Sequence, residues 1–278
     1  MINLAPYNTY RIEAYARHVY FPKTTEEILR IYREHERVVM LGNGSNVILV
    51  KPYYEKEAFI VFPDKDADLF ETDEGIYAQA GVLLKRLSAY ACHRSLSGLE
   101  TFFDIPASVG GAMIMNTGAY GDEIYRHVAW VEVLDLKQRK KVRFLKKEIR
   151  YGYRYSMFKT MNMVILAACF RLPVKEKAQI EAKMAAILHQ RQAKLPVEPS
   201  AGSVFKRPDY SISVGEMVER MGLKGFSVGG AEISLKHGGV IVNRDKARGA
   251  DILALIEYIK KAVRQHYQVE LSLEQIVI

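Results

Sequence analysis

The spacing of apolar and polar positions marks out a chain of short, mixed elements. Thr24-Thr25-Glu26-Glu27 has the form of a capping box, and Ile28, Leu29, Ile31 and Tyr32 behind it share the apolar side of a short helix. Val38 to Leu41 and Val47 to Val50 are apolar runs of strand length, with Gly42-Asn43-Gly44-Ser45-Asn46 between them. That pattern predicts strand, tight loop, strand. Ile60 to Phe62, Ile76 to Ala80 and Trp130 to Leu134 read as further strands. Helical spacing returns at Val82 to Ala91, at Ile180 to His189 and at Asp251 to His266. In the last of these, Ile252, Leu255, Ile256, Ile259 and Val263 form one stripe, most simply a core face. Ser213-Val214-Gly215-Glu216 opens another short helix that stops at Gly222. Arg171 to Lys177 reads as a hinge between the middle and last portions. There is no internal repeat.

One stretch breaks the alternation. Gly98 to Gly121 is crowded with small residues, yet Phe102, Phe103, Ile105, Val109, Met113, Ile114 and Met115 interleave with its glycines. Pro106 fixes its own φ, and Gly110, Gly111, Gly118 and Gly121 allow positive φ or a close backbone approach. With Ser108, Asn116, Thr117 and Tyr120 as polar tips, the stretch suits main-chain contact with a flat or phosphorylated ligand. It equally suits a buried, glycine-rich bend.

Composition narrows the class. Of 278 residues, 49% are hydrophobic and 26% charged, enough to bury a large core in two or three domains. The longest apolar runs, such as Met163 to Phe170, are too short to cross a bilayer, and Met1 to Pro6 lacks the form of a signal peptide. Cys92 and Cys169 stand apart without metal-type spacing, so free thiols, a cytoplasmic location and no metal are expected. The net charge is +8, and much of the excess lies between Lys137 and Arg154. Such a run serves nucleic acid, a solvated surface, or attraction of small phosphorylated substrates. No nucleic-acid motif accompanies it, and no nucleic-acid partner is expected.

The loop Gly42 to Asn46 lacks the third glycine of a dinucleotide fingerprint and the Gly-Lys-Ser/Thr of a Walker loop. It can hold a pyrophosphate on consecutive N–H groups, or be a plain hairpin turn.

Three further segments bear on the choice. They are Tyr151 to Lys159 (with Tyr153-Arg154-Tyr155-Ser156), Pro199 to Pro208 (with Ala201-Gly202-Ser203), and Gly222 to Asn243. With the loop 42–46 and the stretch 98–121, in this order, the chain resembles the UDP-N-acetylenolpyruvoylglucosamine reductases, in their shorter, type II branch. The resemblance implies an α+β fold. A two-part FAD-binding region of the vanillyl-alcohol-oxidase type precedes a C-terminal α/β substrate-binding domain. The implied division is 1–65 and 66–172 for the flavin, 173–267 for the substrate, and 268–278 packing back near the active site.

It also implies the chemistry. NADPH reduces FAD, and the reduced flavin then reduces UDP-N-acetylglucosamine enolpyruvate to UDP-N-acetylmuramate for peptidoglycan. Gly42, Asn43, Gly44, Ser45 and Asn46 correspond to the pyrophosphate loop. Pro106, Ser108, Val109, Gly110, Gly111, Asn116, Gly118, Ala119 and Gly121 line the cofactor. Arg154 matches the catalytic arginine, a fixed cation suited to an enolate beside a carboxylate. Ser203 matches the serine that donates a proton to carbon, which needs cationic neighbours or a relay. Glu274, with Glu270 as a nearby competitor, matches the C-terminal glutamate that polarises the substrate carboxylate. Tyr153, Arg191, Lys194, Lys206, Arg207 and Lys236 are in the segments expected to bind substrate. A monomer with no membrane insertion is expected.

Four places depart from the family pattern: Tyr155 for an aspartate, Glu13-Ala14-Tyr15-Ala16 for a glycine turn, Asn43 and Ala107 for glycines. The competing expectations are another flavin oxidoreductase of the same fold and a colourless nucleotide- or RNA-binding protein.

Overall fold

A computed structural model describes residues 1–278, and contacts group them into two compact units. One comprises residues 1–18, 44–56 and 191–278; the other comprises 19–43 and 57–190. The boundaries expected near 65 and 172 both lie inside the second unit. The expected hinge at Arg171 to Lys177 is not one. Arg171 N donates to His127 O, Ser97 N to Pro173 O, and Lys175 N to Ser95 O, each at 2.9 Å, so the segment is sewn into its surroundings.

In the unit of 19–43 and 57–190, helix α1 (Thr25–Glu34) starts where its capping box dictates. Thr24 Oγ1 accepts from Glu27 N at 3.2 Å, and Glu27 Oε2 accepts from Thr24 N at 3.3 Å. Ile28 and Ile31 then bury against Ala58, Ile60, Leu134 and Val164. Strand Arg37–Leu41 pairs in parallel with Glu57–Val61, not with the run after the glycine loop. A plain hairpin at 42–46 is therefore excluded.

A five-stranded antiparallel sheet runs Lys140–Leu145, Val128–Asp135, Met163–Phe170, Gly75–Gln79 and Leu69–Thr72 in spatial order. Its alternation turns Ile76, Ala78, Val131, Val133 and Ala168 into a core shared with helices α2 (Leu84–His93) and α3 (Val109–Met115). α2 begins two residues later than the spacing of Val82 and Leu83 predicts. Those residues are taken by pairing: Val109 N donates to Val82 O at 2.8 Å and Leu84 N to Ala107 O at 2.9 Å. The basic run forms the sheet edge. There Arg143 covers the Trp130 ring at 3.8 Å and bonds Glu74 at 3.0 Å.

Helix α4 (Lys177–Lys194) extends the predicted 180–189 at both ends, and its residues are shared between the units. In the other unit, α5 (Val214–Arg220) is capped by Ser213, whose Oγ accepts from Glu216 N at 3.2 Å. Gly222 follows at φ +69°, as a helix stop requires. A meander of Ser227–Val228, Ala231–Ile233 and Ile241–Asn243 packs on α6 (Gly249–Tyr267). The whole stripe Ile252, Leu255, Ile256, Ile259 and Val263 is buried, each side chain contributing about 1.5–3 kcal/mol relative to exposure. Of the predicted strand Val47 to Val50, Val47–Ile48 pairs in parallel with Ile276–Val277. No helix is long and apolar enough to cross a membrane, and no cluster of His, Cys, Asp or Glu suits a metal ion.

Candidate active site

Arg154 lies in the tight turn between Tyr151–Gly152 and Tyr155–Ser156, with φ at +54°. A non-glycine residue holds that left-handed conformation only when its surroundings insist. Here three hydrogen bonds do so. Ser156 Oγ donates to Ile114 O at 3.0 Å, Asn116 Nδ2 to Gly152 O at 2.9 Å, and Arg154 Nη2 to Gly118 O at 3.0 Å. Tyr151 adds a stacked contact with Tyr125 at 4.7 Å. The turn is thus fastened to the glycine-rich stretch at every second residue from 114 to 118. Tyr153 is half exposed, with its ring 5.0 Å from the Arg154 guanidinium.

That stretch is less of a loop than its glycines suggest. Ser108 caps α3, its Oγ accepting from Gly111 N at 3.3 Å, and Gly110 N donates to Ala80 O at 2.9 Å. Of Gly110, Gly111, Gly118 and Gly121, only Gly121 uses positive φ, at +77°; Asn116 (+43°) and Tyr120 (+52°) are left-handed as well. Gly110 and Gly118 serve close approach instead. A Cβ on Gly110 would stand 3.1 Å from Ala80 Cβ, and one on Gly118 would stand 2.8 Å from Asp122 O. Gly42 meets the same surface: its Cβ would lie 2.6 Å from Ser108 Oγ. Asn43 Nδ2 donates to Pro106 O at 2.7 Å, so the family-departing asparagine links the two expected cofactor segments. Val109 is spent on the core, fully buried. Asn116 Oδ1, by contrast, is a buried acceptor without a hydrogen-bond partner.

Gly44, Ser45 and Asn46 belong to the other unit, where Gly44 takes φ +62° against the backbone of Tyr7 and Asn8. Asn46 Nδ2 donates to Glu274 O at 3.1 Å. Ser203 and Glu274 lie in adjoining segments of that unit. Ser203 bridges Val240, Phe205 bridges Leu273, Val204 N donates to Gly239 O and Glu274 N to Val204 O, both at 3.0 Å. Ser203 itself is exposed. His237, whose Nδ1 accepts from Gly239 N at 3.0 Å, has its pKa pushed down by burial and is neutral at pH 7.

The expected substrate cations differ in their commitments. Lys236 Nζ donates to Gln192 O, in the last turn of α4, while Arg191 and Lys194 occupy that same turn. Lys206 and Arg207 stand three and four residues after Ser203, with Lys206 N on Ser272 O at 2.9 Å. Sequence reasoning missed Gln275. Buried at 4% exposure, its amide reaches both Tyr10 and the carbonyls just before Ser203. A lone glutamine in an apolar tail carries no local signal of this.

Residues 191–278 match the family profile of the C-terminal domain of UDP-N-acetylenolpyruvoylglucosamine reductase, and residues 16–139 match that of an FAD-binding domain. A UDP-N-acetylenolpyruvoylglucosamine reductase of Francisella tularensis is 52% identical over 278 residues, covering 100% of this chain and 99% of that protein. One from Fervidobacterium nodosum is 41% identical over 254 residues, covering 90% and 80% of the two chains. The crystal structure of the enzyme from Thermus caldophilus superposes with a TM-score of 0.85 at 31% identity, over 99% of this chain and 97% of that one. With likeness across both its flavin-binding and C-terminal segments, the chain belongs to the UDP-N-acetylenolpyruvoylglucosamine reductase family.

Proposed function

We propose that this chain is an FAD enzyme that reduces UDP-N-acetylglucosamine enolpyruvate to UDP-N-acetylmuramate, with NADPH as reductant, in peptidoglycan precursor synthesis. The observation that carries this reading is the 52% identity to a reductase of that name along the whole chain. In this reading 1–65 and 66–172 serve the flavin, 173–267 serve the substrate, and 268–278 bring Glu274 to the site.

The residues present suit a flavin. The expected cofactor segments meet through the Asn43 bond to Pro106 O, and Asn116 Oδ1 is a buried acceptor awaiting a donor. Bound FAD supplies hydride transfer. The protein supplies charge and protons. Arg154, held in its turn, faces the negative charge that develops beside the substrate carboxylate, and its guanidinium grips two oxygens without losing its proton. Glu274 polarises that carboxylate, and Ser203 gives the proton to carbon. Lys206 and Arg207, in the same segment as Ser203, are suited to the diphosphate.

The test is a two-stage rapid-mixing experiment on the yellow holoenzyme: reduction by NADPH, then reoxidation by the enolpyruvyl nucleotide. Ser203→Ala is expected to spare the first stage and slow the second by orders of magnitude. Equal losses in both would remove Ser203 from the donor role. A colourless protein, or NADPH oxidation indifferent to the nucleotide, would defeat the whole reading.

A further inference from the structure

Gln275 is a buried polar side chain whose amide is fully engaged. Its Nε2 donates to Ala201 O at 3.0 Å and to Gly202 O at 3.2 Å, and its Oε1 accepts from the Tyr10 hydroxyl at 3.1 Å. Tyr10 is completely buried and Ala201 nearly so. Tyr10 is fixed in turn, because its carbonyl accepts from Asn243 Nδ2 at 2.8 Å. Nothing in the proposed reaction needs this network directly.

Its geometry bears on Ser203. The carbonyl of Gly202 belongs to the same planar peptide group as the amide nitrogen of Ser203, so gripping that oxygen fixes the plane from which Ser203 departs. Gly202 sits at φ +69° with nothing within 4 Å of where a Cβ would be. The two bonds from Gln275 hold the peptide oxygens on either side of this glycine. On the other side of Gln275, the chain continues directly into Glu274, whose N–H donates to Val204 O at 3.0 Å. One side chain therefore ties the approach to Ser203 to the segment that carries Glu274.

We propose that Gln275, braced by Tyr10, is a positioning residue for the reduction step, setting Ser203 and Glu274 in register with each other. The inference rests on the roles proposed above for Ser203 and Glu274. A proton donor to carbon must be aimed, and a displacement of about 1 Å costs on the order of a hundredfold in rate.

The experiment uses the holoenzyme in the same two-stage format. Gln275→Leu is expected to keep its flavin and reduce with NADPH within about twofold of the parent, while reoxidation slows roughly 10- to 100-fold. Combined with Ser203→Ala, it should cause much less than the product of the two losses, since the part of its effect that passes through Ser203 is already gone. The double variant Tyr10→Phe/Gln275→Leu separates positioning from support of the fold. It removes the orphaned hydroxyl and should regain melting temperature, yet it leaves Ala201 and Gly202 ungripped, so reoxidation should stay slow. Wild-type reoxidation in Gln275→Leu, losses that multiply with those of Ser203→Ala, or a rate that recovers along with the melting temperature would each overturn the inference. Should Gln275→Leu lose its flavin, Tyr10→Phe decides alone: slowed reoxidation supports the role, and an unchanged rate overturns it. If Ser203→Ala itself reoxidises at the parental rate, the reading of Ser203 fails first, and that outcome is distinct from a failure confined to Gln275.

Discussion

The Arg154 guanidinium donates to the carbonyl oxygen of Gly118 at 3.0 Å, and a Cβ on Gly118 would stand 3.2 Å from the other terminal nitrogen of the same guanidinium. Gly118 is thus the seat of the arginine. Gly118→Ala should displace Arg154, and reoxidation by the enolpyruvyl nucleotide should fall by roughly tenfold or more. Rapid-mixing kinetics would check this, with Arg154→Lys as the reference. A parental rate in Gly118→Ala would show that the seat is dispensable.

Glu100 supplies a pH dependence. Its carboxylate is 1% exposed; it accepts from Ser97 Oγ at 2.6 Å and pairs with Lys183 at 3.0 Å. Burial alone would raise its pKa, but bonds from Ser97, Lys183 and Gly98 outweigh it, and the net result is a pKa below the ordinary 4.5. A carboxyl lowered in the folded state stabilises above its unfolded value, and that stability is lost as pH falls through the folded value. The melting temperature should accordingly drop on acidification below about pH 4.5. In Ser97→Ala this drop should be shallower, because less of the lowering remains. Identical acid profiles would remove Glu100 from the account.

Both thiols should be silent. Cys92 and Cys169 are buried, and burial pushes both pKa values up, that of Cys169 to about 11. A thiol-reactive chromogen at pH 7.5 should label neither in the native protein and both in denaturant. Rapid labelling of the native chain would contradict the packing described.

The α6 stripe should be costly to thin. Ile256 is fully buried, so Ile256→Ala should destabilise by about 2–5 kcal/mol in denaturant titration. Glu257→Ala, one residue along and exposed, should change stability by less than about 0.5 kcal/mol. Equal effects would mean that the stripe is not core.

What the sequence made readable is what is local. The Thr24/Glu27 box, the Ser213 cap and the α6 stripe depend on residues three or four apart, and all three took the form expected. Partners distant along the chain were not readable. Nothing near Val47 announces Ile276, and nothing near Leu41 announces that its strand pairs with Glu57–Val61. The start of α2 departs from the helical spacing because pairing with residues 107–109 takes Val82 and Leu83. The hinge at 171–177 failed for a similar reason, since its charged composition hid backbone bonds to 95–97 and 127. The adjacency of Ser203 and Glu274 is of this distant kind, and resemblance to a family, not residue spacing, pointed to both.

The parallel pairing of Val47–Ile48 with Ile276–Val277 has a bearing on biosynthesis. A nascent chain can complete the unit of 19–43 and 57–190 while later residues are still being added, but the other unit draws on residues from 1–18 through to 191–278. Its early segments cannot complete it until the later ones are made. That places closure of this unit among the slow, high-contact-order steps.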